Sequence, residues 1–377
     1  MKDKNVAIID VGSSKITAVV GERGINKTFV IKARYELDYD GFSEGLFFDE
    51  VKFKDCLLTL AKSIKKTCNF DTIYIGVPGE FTQVFVKESQ ISFAKKKKIT
   101  LEDIDMLFEA AFVLSSTKYT LINRSAIVYE LDDCRRLAYP AGQVSSILKG
   151  KLSFVVCSNY FITLVKQTLE QVGIKHVECV SSALAEALYL VDAETRDRIA
   201  ILVDIGYISS TLSIIQGDGI LYQKSFSYGG GYITASIAEK FEIDFGIAEK
   251  VKRKINLNHY SNTPTLDLID GDDGQYYSIN ELKTLVLNSL DILCEKLSDA
   301  LESSGFIIPE YVPIMITGGG ITYIRGAKEH VSGRLGSVVE VVTPKVPLMD
   351  NPLESSVLSL LELALEQIWF FFYFIWY

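Results

Sequence analysis

VAIIDVGSSKITAVV, Val6 to Val20, is repeated in outline by IAILVDIGYISSTLSII, Ile199 to Ile215. In both, an apolar strand ends in Asp, followed by Val or Ile, then Gly, then small hydroxyl residues that lead into a second apolar strand. Such a turn offers backbone N–H groups and hydroxyls to a phosphate, and the Asp at the strand end can hold a metal-bound water. Taken singly, an Asp-x-Gly after a strand is a common turn. The matched pair predicts a clamp.

Two glycine-rich stretches complete the pattern. In IMITGGGIT, Ile314 to Thr322, three glycines after a strand leave no Cβ in the way of a flat base or ribose. In SYGGGYITASIA, Ser227 to Ala238, Gly229, Gly230 and Gly231 precede a helical pattern whose first N–H groups would face an anion.

In this order the four elements resemble the actin-like ATPase superfamily, and within it the bacterial cell-division FtsA family. The likeness runs from Val6 to about Leu365. It is sharpened by the interval between the two Asp-Gly turns, where ITLEDIDMLFEAAFVLSS and LKGKLSFVVCSNYFITLVKQTLEQVGI look like the extra subdomain of that family. The resemblance implies an α/β chain with a two-lobed actin-like ATPase fold, made of duplicated RNase H-like lobes with one inserted subdomain.

The resemblance also implies a site that binds ATP and Mg²⁺. Asp10 and Asp204 would hold the metal through water. Gly12, Ser13, Ser14 and Lys15 would form the first phosphate turn, and Gly206, Ser209, Ser210 and Thr211 the second. Glu249 and Lys252, in AEKVK, would reach the ribose and adenine, and Gly318, Gly319 and Gly320 would close over the nucleoside. One departure stands out. Family members often carry consecutive glycines after the second Asp, whereas Tyr207 and Ile208 follow a single Gly206 here. That argues against fast hydrolysis more than against binding. The helix SSALAEALYLV offers Glu186 as an acidic group, and no catalytic residue is assigned.

The organisation expected is a first lobe over 1–85 and 158–195, an inserted subdomain over 86–157, and a second lobe over 196–235 and 312–367. A helical subdomain fills 236–311, with an exposed loop at 256–278, and an apolar aromatic tail occupies 368–377. Lys95 to Lys98 read as a solvated run before a helix, with Thr100 as N-cap and Asp103 completing a capping box. In a chain of 377 residues, 48% hydrophobic residues suffice for a large core. A net charge of −9 argues against nonspecific nucleic-acid binding. Six cysteines without a C-x-x-C pair read as small core residues in a reducing compartment, and three dispersed histidines disfavour a zinc site. The polar start MKDKN shows no secretory signal, so a cytoplasmic protein is expected.

Near the carboxyl end, NPLESSVLSLLELALEQ has apolar residues at helical spacing and runs into IWFFFYFIWY, Ile368 to Tyr377. As a helix this tail spans ~15 Å, about half the hydrocarbon thickness of a bilayer, so it cannot cross alone. Its aromatic rings suit the membrane interface. FtsA-like proteins usually end in a linker and a basic amphipathic helix, a pattern that the stretch up to Tyr377 does not show. The function expected from the resemblance is tethering of the FtsZ ring to the cytoplasmic membrane at the division septum, with self-polymerisation and contacts to other division proteins. Two alternatives are a pilus-assembly scaffold resembling PilM and, less favoured, a sugar kinase of the same superfamily.

Overall fold

In the computed structural model the described residues are 5–24, 28–258, 268–271, 273–346 and 348–375, with the side chains of 367–375 excepted. The first strands are β1 (Asn5–Val11), β2 (Lys15–Arg23) and β3 (Phe29–Asp38), then a short hairpin, β4 (Phe42–Ser43) and β5 (Leu46–Phe47). Helix α1 (Glu50–Thr67) and β6 (Ile73–Val77) follow. Next come β7 (Thr82–Lys98), α2 (Leu101–Ala111), β8 (Tyr119–Leu131), β9 (Arg136–Leu137) and β10 (Val144–Ser158). The chain returns through α3 (Asn159–Glu170), β11 (Val177–Ser181), α4 (Ser182–Leu190) and α5 (Ala193–Arg196).

The second half repeats the plan with β12 (Ala200–Ile205), β13 (Ser210–Gln216) and β14 (Gly219–Phe226). Helices α6 (Gly230–Phe241) and α7 (Phe245–Lys254), the hairpin β15 (Leu268–Asp270) and β16 (Tyr276–Ser278), and α8 (Ile279–Ser303) come next. The chain ends with β17 (Ile314–Thr317), α9 (Ala327–Leu335), β18 (Val339–Val341) and α10 (Ser355–Ile375).

The duplication seen in two turns extends to whole sheets. One five-stranded sheet runs β11-β6-β1-β2-β3 and the other β18-β17-β12-β13-β14. In each, the Asp-bearing strand pairs antiparallel with the strand after it and parallel with a later one. The register matches too, with Asp10 opposite Thr17 and Asp204 opposite Thr211. β1 and β12 are central and covered on both faces, which is why they read as near-continuous apolar runs rather than alternating ones.

Between the repeats, β7-β10-β8-β9 form a separate four-stranded sheet packed by α2. The capping box expected at Thr100 and Asp103 is present, and Lys97 and Lys96 pair with Asp103 and Asp132. This sheet leans on the second lobe: Ser153 Oγ donates to Ile220 O at 2.7 Å and Asp218 N to Ala126 O at 3.1 Å. The region 256–278, read as a loop, carries the β15–β16 hairpin, and 259–267 lie outside the described residues. Five of the six cysteines are buried or half-buried, but Cys134 is exposed in a turn with φ 64°, so it is not a core residue.

One assignment changes. The second lobe is expected to run on to 367, but α10 crosses back to the first sheet. Its Val357, Leu360, Leu361, Ala364 and Leu365 pack on Val6, Ile8, Val19, Tyr74 and Val180 of the first sheet. That sheet has an apolar second face which α1 and α3 leave uncovered, and α10 is the stripe that covers it. Leu361→Ala is expected to destabilise the fold by about 2–5 kcal/mol, because a fully buried side chain leaves a cavity against the sheet. A chemical-denaturation midpoint unchanged from the parent would contradict this placement. What the side chains of the aromatic tail, 368–377, pack against lies outside the described residues. Among the described residues no helix is long and apolar enough to cross a membrane.

Candidate functional site

Each Asp-bearing strand turns in the same way. Gly12 N donates to Lys15 O at 3.0 Å and Gly206 N to Ser209 O at 2.9 Å. A Cβ would stand 2.9 Å from Lys15 O at Gly12 and 2.8 Å from Ser209 O at Gly206, so glycine is required by close approach at both. The two turns face one another directly, with Ile208 N donating to Ser13 Oγ at 3.0 Å across the lobes. They bound a cleft of about 820 Å³. Of the expected residues, Asp10, Gly12, Ser13, Ser14, Lys15, Asp204, Gly206, Ser209, Thr211, Glu249, Gly318 and Gly319 all line it.

At its floor sit three carboxyl groups. Burial pushes Asp10 up to about 6, against the Ser356 hydrogen bond and the charges of Lys15 and Arg34. Burial and then the charge of Asp10 push Asp204 up to about 7. Glu186, carried inward by α4, is raised well above the usual carboxylate range by burial and then by Asp204 and Asp10. Its Oε1 is buried without a hydrogen-bond partner. Carboxylates gathered at this depth with few cations nearby fit a bound divalent ion. Among the described residues no three His, Cys, Asp or Glu side chains come close enough to ligate one ion directly, so water would complete the shell.

These groups hold protons more tightly when folded than unfolded. Their contribution to stability is therefore full below the unfolded pKa and is lost as pH rises through about 6 to 7. In EDTA the protein is expected to be less stable at pH 8 than at pH 5.5, by about 1–3 kcal/mol. Denaturation midpoints that rise over this window would contradict the assignment.

Several expected residues serve the framework instead. The N–H groups of Gly230 and Gly231 donate to Gly206 O and Tyr207 O, so they do not face an anion. Gly229, Gly230 and Gly231 are small because α6 starts against the second turn: a Cβ at Gly230 would lie 2.3 Å from Gly320 O. Gly320 N donates to Ile205 O, which locks the third glycine of its loop to the strand rather than to the cleft. The Ser210 hydroxyl is spent on Tyr228 O at 2.6 Å, and Thr211 shares a hydrogen bond with Ser225 at 2.9 Å. Lys15 lines the cleft but pairs with Glu36 at 2.9 Å.

Lys252 is the clearest correction. Its side chain has no exposed surface, and it donates to Gly230 O at 2.8 Å and Thr234 Oγ1 at 2.7 Å and pairs with Glu249 at 2.6 Å. Burial pulls its pKa below the usual value although Glu249 opposes the shift. It ties α7 to α6 and cannot reach a ligand.

Gly318 is required as glycine by its backbone. Its φ is 85°, and a Cβ would stand 2.2 Å from Asp204 Oδ1. At Gly319 a Cβ would meet the end of the half-exposed Leu353 side chain at 2.1 Å.

Other cleft residues gave no sequence signal. Ser356, in the first turn of α10, donates to Asp10 Oδ1 at 2.7 Å, and Arg34 holds Glu354 at 2.5 Å, so the last helix begins at the carboxylates. Tyr39 OH donates to Gly12 O at 2.7 Å and steadies the first turn. Tyr207, Phe245 and Arg253 form the opposite wall. Burial, then the charge of Glu249, pushes the Tyr207 phenol up to about 12.

The molecule has the two-lobed actin-like ATPase fold. It is similar to the structure of a PilM–PilN type IV pilus biogenesis complex, with TM-score 0.64 and 18% identity over 97% of this chain and 99% of that one. It is also similar to MreB 5 of Spiroplasma citri bound to AMPPNP, with TM-score 0.56 and 14% identity over 98% of both chains. By sequence it is 21% identical to the cell division protein FtsA of Staphylococcus epidermidis over 95% of this chain and 78% of the relative. The FtsA of Pseudomonas aeruginosa is 20% identical over 97% and 90%. The family model of the type IV pilus assembly protein PilM matches residues 163–267.

Proposed function

We propose that this chain is an actin-like scaffold that binds ATP with Mg²⁺ and acts in cell division in the manner of FtsA, tethering the FtsZ ring to the cytoplasmic face of the membrane and polymerising there. The observation that carries the nucleotide part is the facing pair of matched turns, with Asp10, Asp204 and Glu186, whose Oε1 is buried without a hydrogen-bond partner, gathered between them. Asp10 and Asp204 would hold the ion through water, and Gly12, Ser13, Ser14, Gly206 and Ser209 would hold the phosphates. When bound, the ion supplies the positive charge that lets these carboxylates ionise. A ligand spanning both turns favours the lobe arrangement it bridges, so nucleotide acts as a conformational ligand whether or not it is turned over quickly. The similarity to FtsA over nearly the whole chain supports the division role.

The second reading is a PilM-like scaffold of type IV pilus assembly, supported by the family model over 163–267 and by the likeness to the PilM–PilN complex. Co-sedimentation on anionic lipid vesicles separates the two. ATP-dependent recovery of FtsZ with the vesicles, lost on removing residues 368–377, supports the division reading. No recovery of FtsZ, together with capture of a PilN-type peptide, would replace it with the second.

A further inference from the structure

We propose that Tyr207, not Glu249 or Lys252, receives the nucleoside, and that the cleft therefore takes nucleotides with little discrimination between adenine and guanine. This rests on the Mg-nucleotide reading of the cleft. A carboxylate offers about four acceptor positions. At Glu249 they are filled: Oε2 accepts from Thr234 Oγ1 at 2.6 Å and faces Lys252 Nζ at 2.6 Å, and Oε1 accepts from Arg253 Nε at 2.8 Å and Tyr323 OH at 3.3 Å. A ribose hydroxyl finds no open position there. An ammonium has three donors, and those of Lys252 are engaged by Gly230 O, Thr234 Oγ1 and Glu249. The rings of Tyr207 and Tyr323 cover the same ammonium, at 5.4 and 5.5 Å.

What remains facing the cleft on this wall is flat. The ring of Tyr207 meets that of Phe245 edge to face, with centroids 6.3 Å apart, and the side chain of Arg253 is 52% exposed beside them. Aromatic faces and a guanidinium plane stack on any base, since every base has a π-face. Strong selection between bases needs fixed polar partners that are left unpaired by the wrong one. The side chain that could accept from the adenine amino group, Glu249, is already saturated. Glu249, saturated by Thr234, Lys252, Arg253 and Tyr323, thus serves as a support behind the ring of Tyr207.

The test is a set of calorimetric titrations of the full chain with ATP, GTP and inorganic tripolyphosphate, each with Mg²⁺, repeated on Tyr207→Ala and Tyr207→Phe. ATP and GTP are expected to bind within about threefold of one another, and both more tightly than tripolyphosphate. Tyr207→Ala should weaken both nucleotides by about tenfold and leave tripolyphosphate unchanged, whereas Tyr207→Phe should keep the parent affinities. A preference above about tenfold for ATP over GTP in the parent overturns the inference without needing any variant to fold. Unchanged or tighter nucleotide binding by Tyr207→Ala overturns it as well. If the parent binds neither nucleotide nor tripolyphosphate, the reading of the cleft falls with it. If it binds them with strong base selectivity, only this inference does.

Discussion

Replacing Asp10 and Asp204 together by Asn is expected to abolish Mg-ATP binding, lowering affinity by about a hundredfold or more, while leaving the apo protein at least as stable as the parent. The two halves of that result have one cause. Burial raises both carboxyls, Asp10 to about 6 and Asp204 to about 7, and the charge of Asp10 adds to the rise at Asp204. Without a cation, ionising them is unfavourable, so neutral amides of the same shape relieve a cost. With a cation, the same charges are the attraction, and amides cannot supply it. Asn at position 10 still accepts from Ser356, so the start of α10 keeps its tie. Calorimetry for the ligand and denaturant melts for the apo protein read the two effects separately. A double variant that binds Mg-ATP as well as the parent would remove these residues from the site. One that loses both binding and stability would mean the carboxyls hold the fold rather than an ion.

The second large effect is structural. Lys252→Met is expected to destabilise the protein by about 3–5 kcal/mol, the range for breaking a buried pair by removing one partner. Three contacts are lost at once, to Gly230 O, Thr234 Oγ1 and the Glu249 carboxylate. Arg253 still holds Glu249, which sets the lower end of that range. Urea denaturation is the measurement. A loss below about 1 kcal/mol, accompanied by weaker nucleotide binding, would return Lys252 to the role of a ligand-binding residue.

Of these two effects only the first was legible in the sequence. The Asp-Val-Gly and Asp-Ile-Gly turns were legible because their chemistry is local. A strand end, a close-approach glycine and a run of hydroxyls lie within a few positions, and the structure puts both turns in the same register. The matched sheets follow from that repeat, since the apolar runs flanking each Asp suit only central strands.

What was not legible depends on distant partners. Nothing in AEKVK tells a cleft-facing lysine from a buried one, because Lys252 is decided by Gly230 and Thr234, far back on α6. Nothing in SYGGGYITASIA shows that its N–H groups are already spent on Gly206 and Tyr207. The register of SSALAEALYLV could be settled only once β11 had fixed where α4 begins, and that register aims Glu186 between the two aspartates. The sheet that α10 covers was not legible either, because an amphipathic stripe says that a helix is buried but not against what. The helix packs beside β1, three hundred residues and more upstream, which brings Ser356 to Asp10.

The most direct test of the account is a titration of ATP into the protein at pH 8, once with Mg²⁺ and once with EDTA. A clear binding heat with Mg²⁺ that disappears in EDTA is the expected result, because the ionised Asp10 and Asp204 repel a triphosphate that no cation accompanies. Equal binding in both buffers, or none in either, would contradict the claim that these facing turns hold a metal-bound nucleotide.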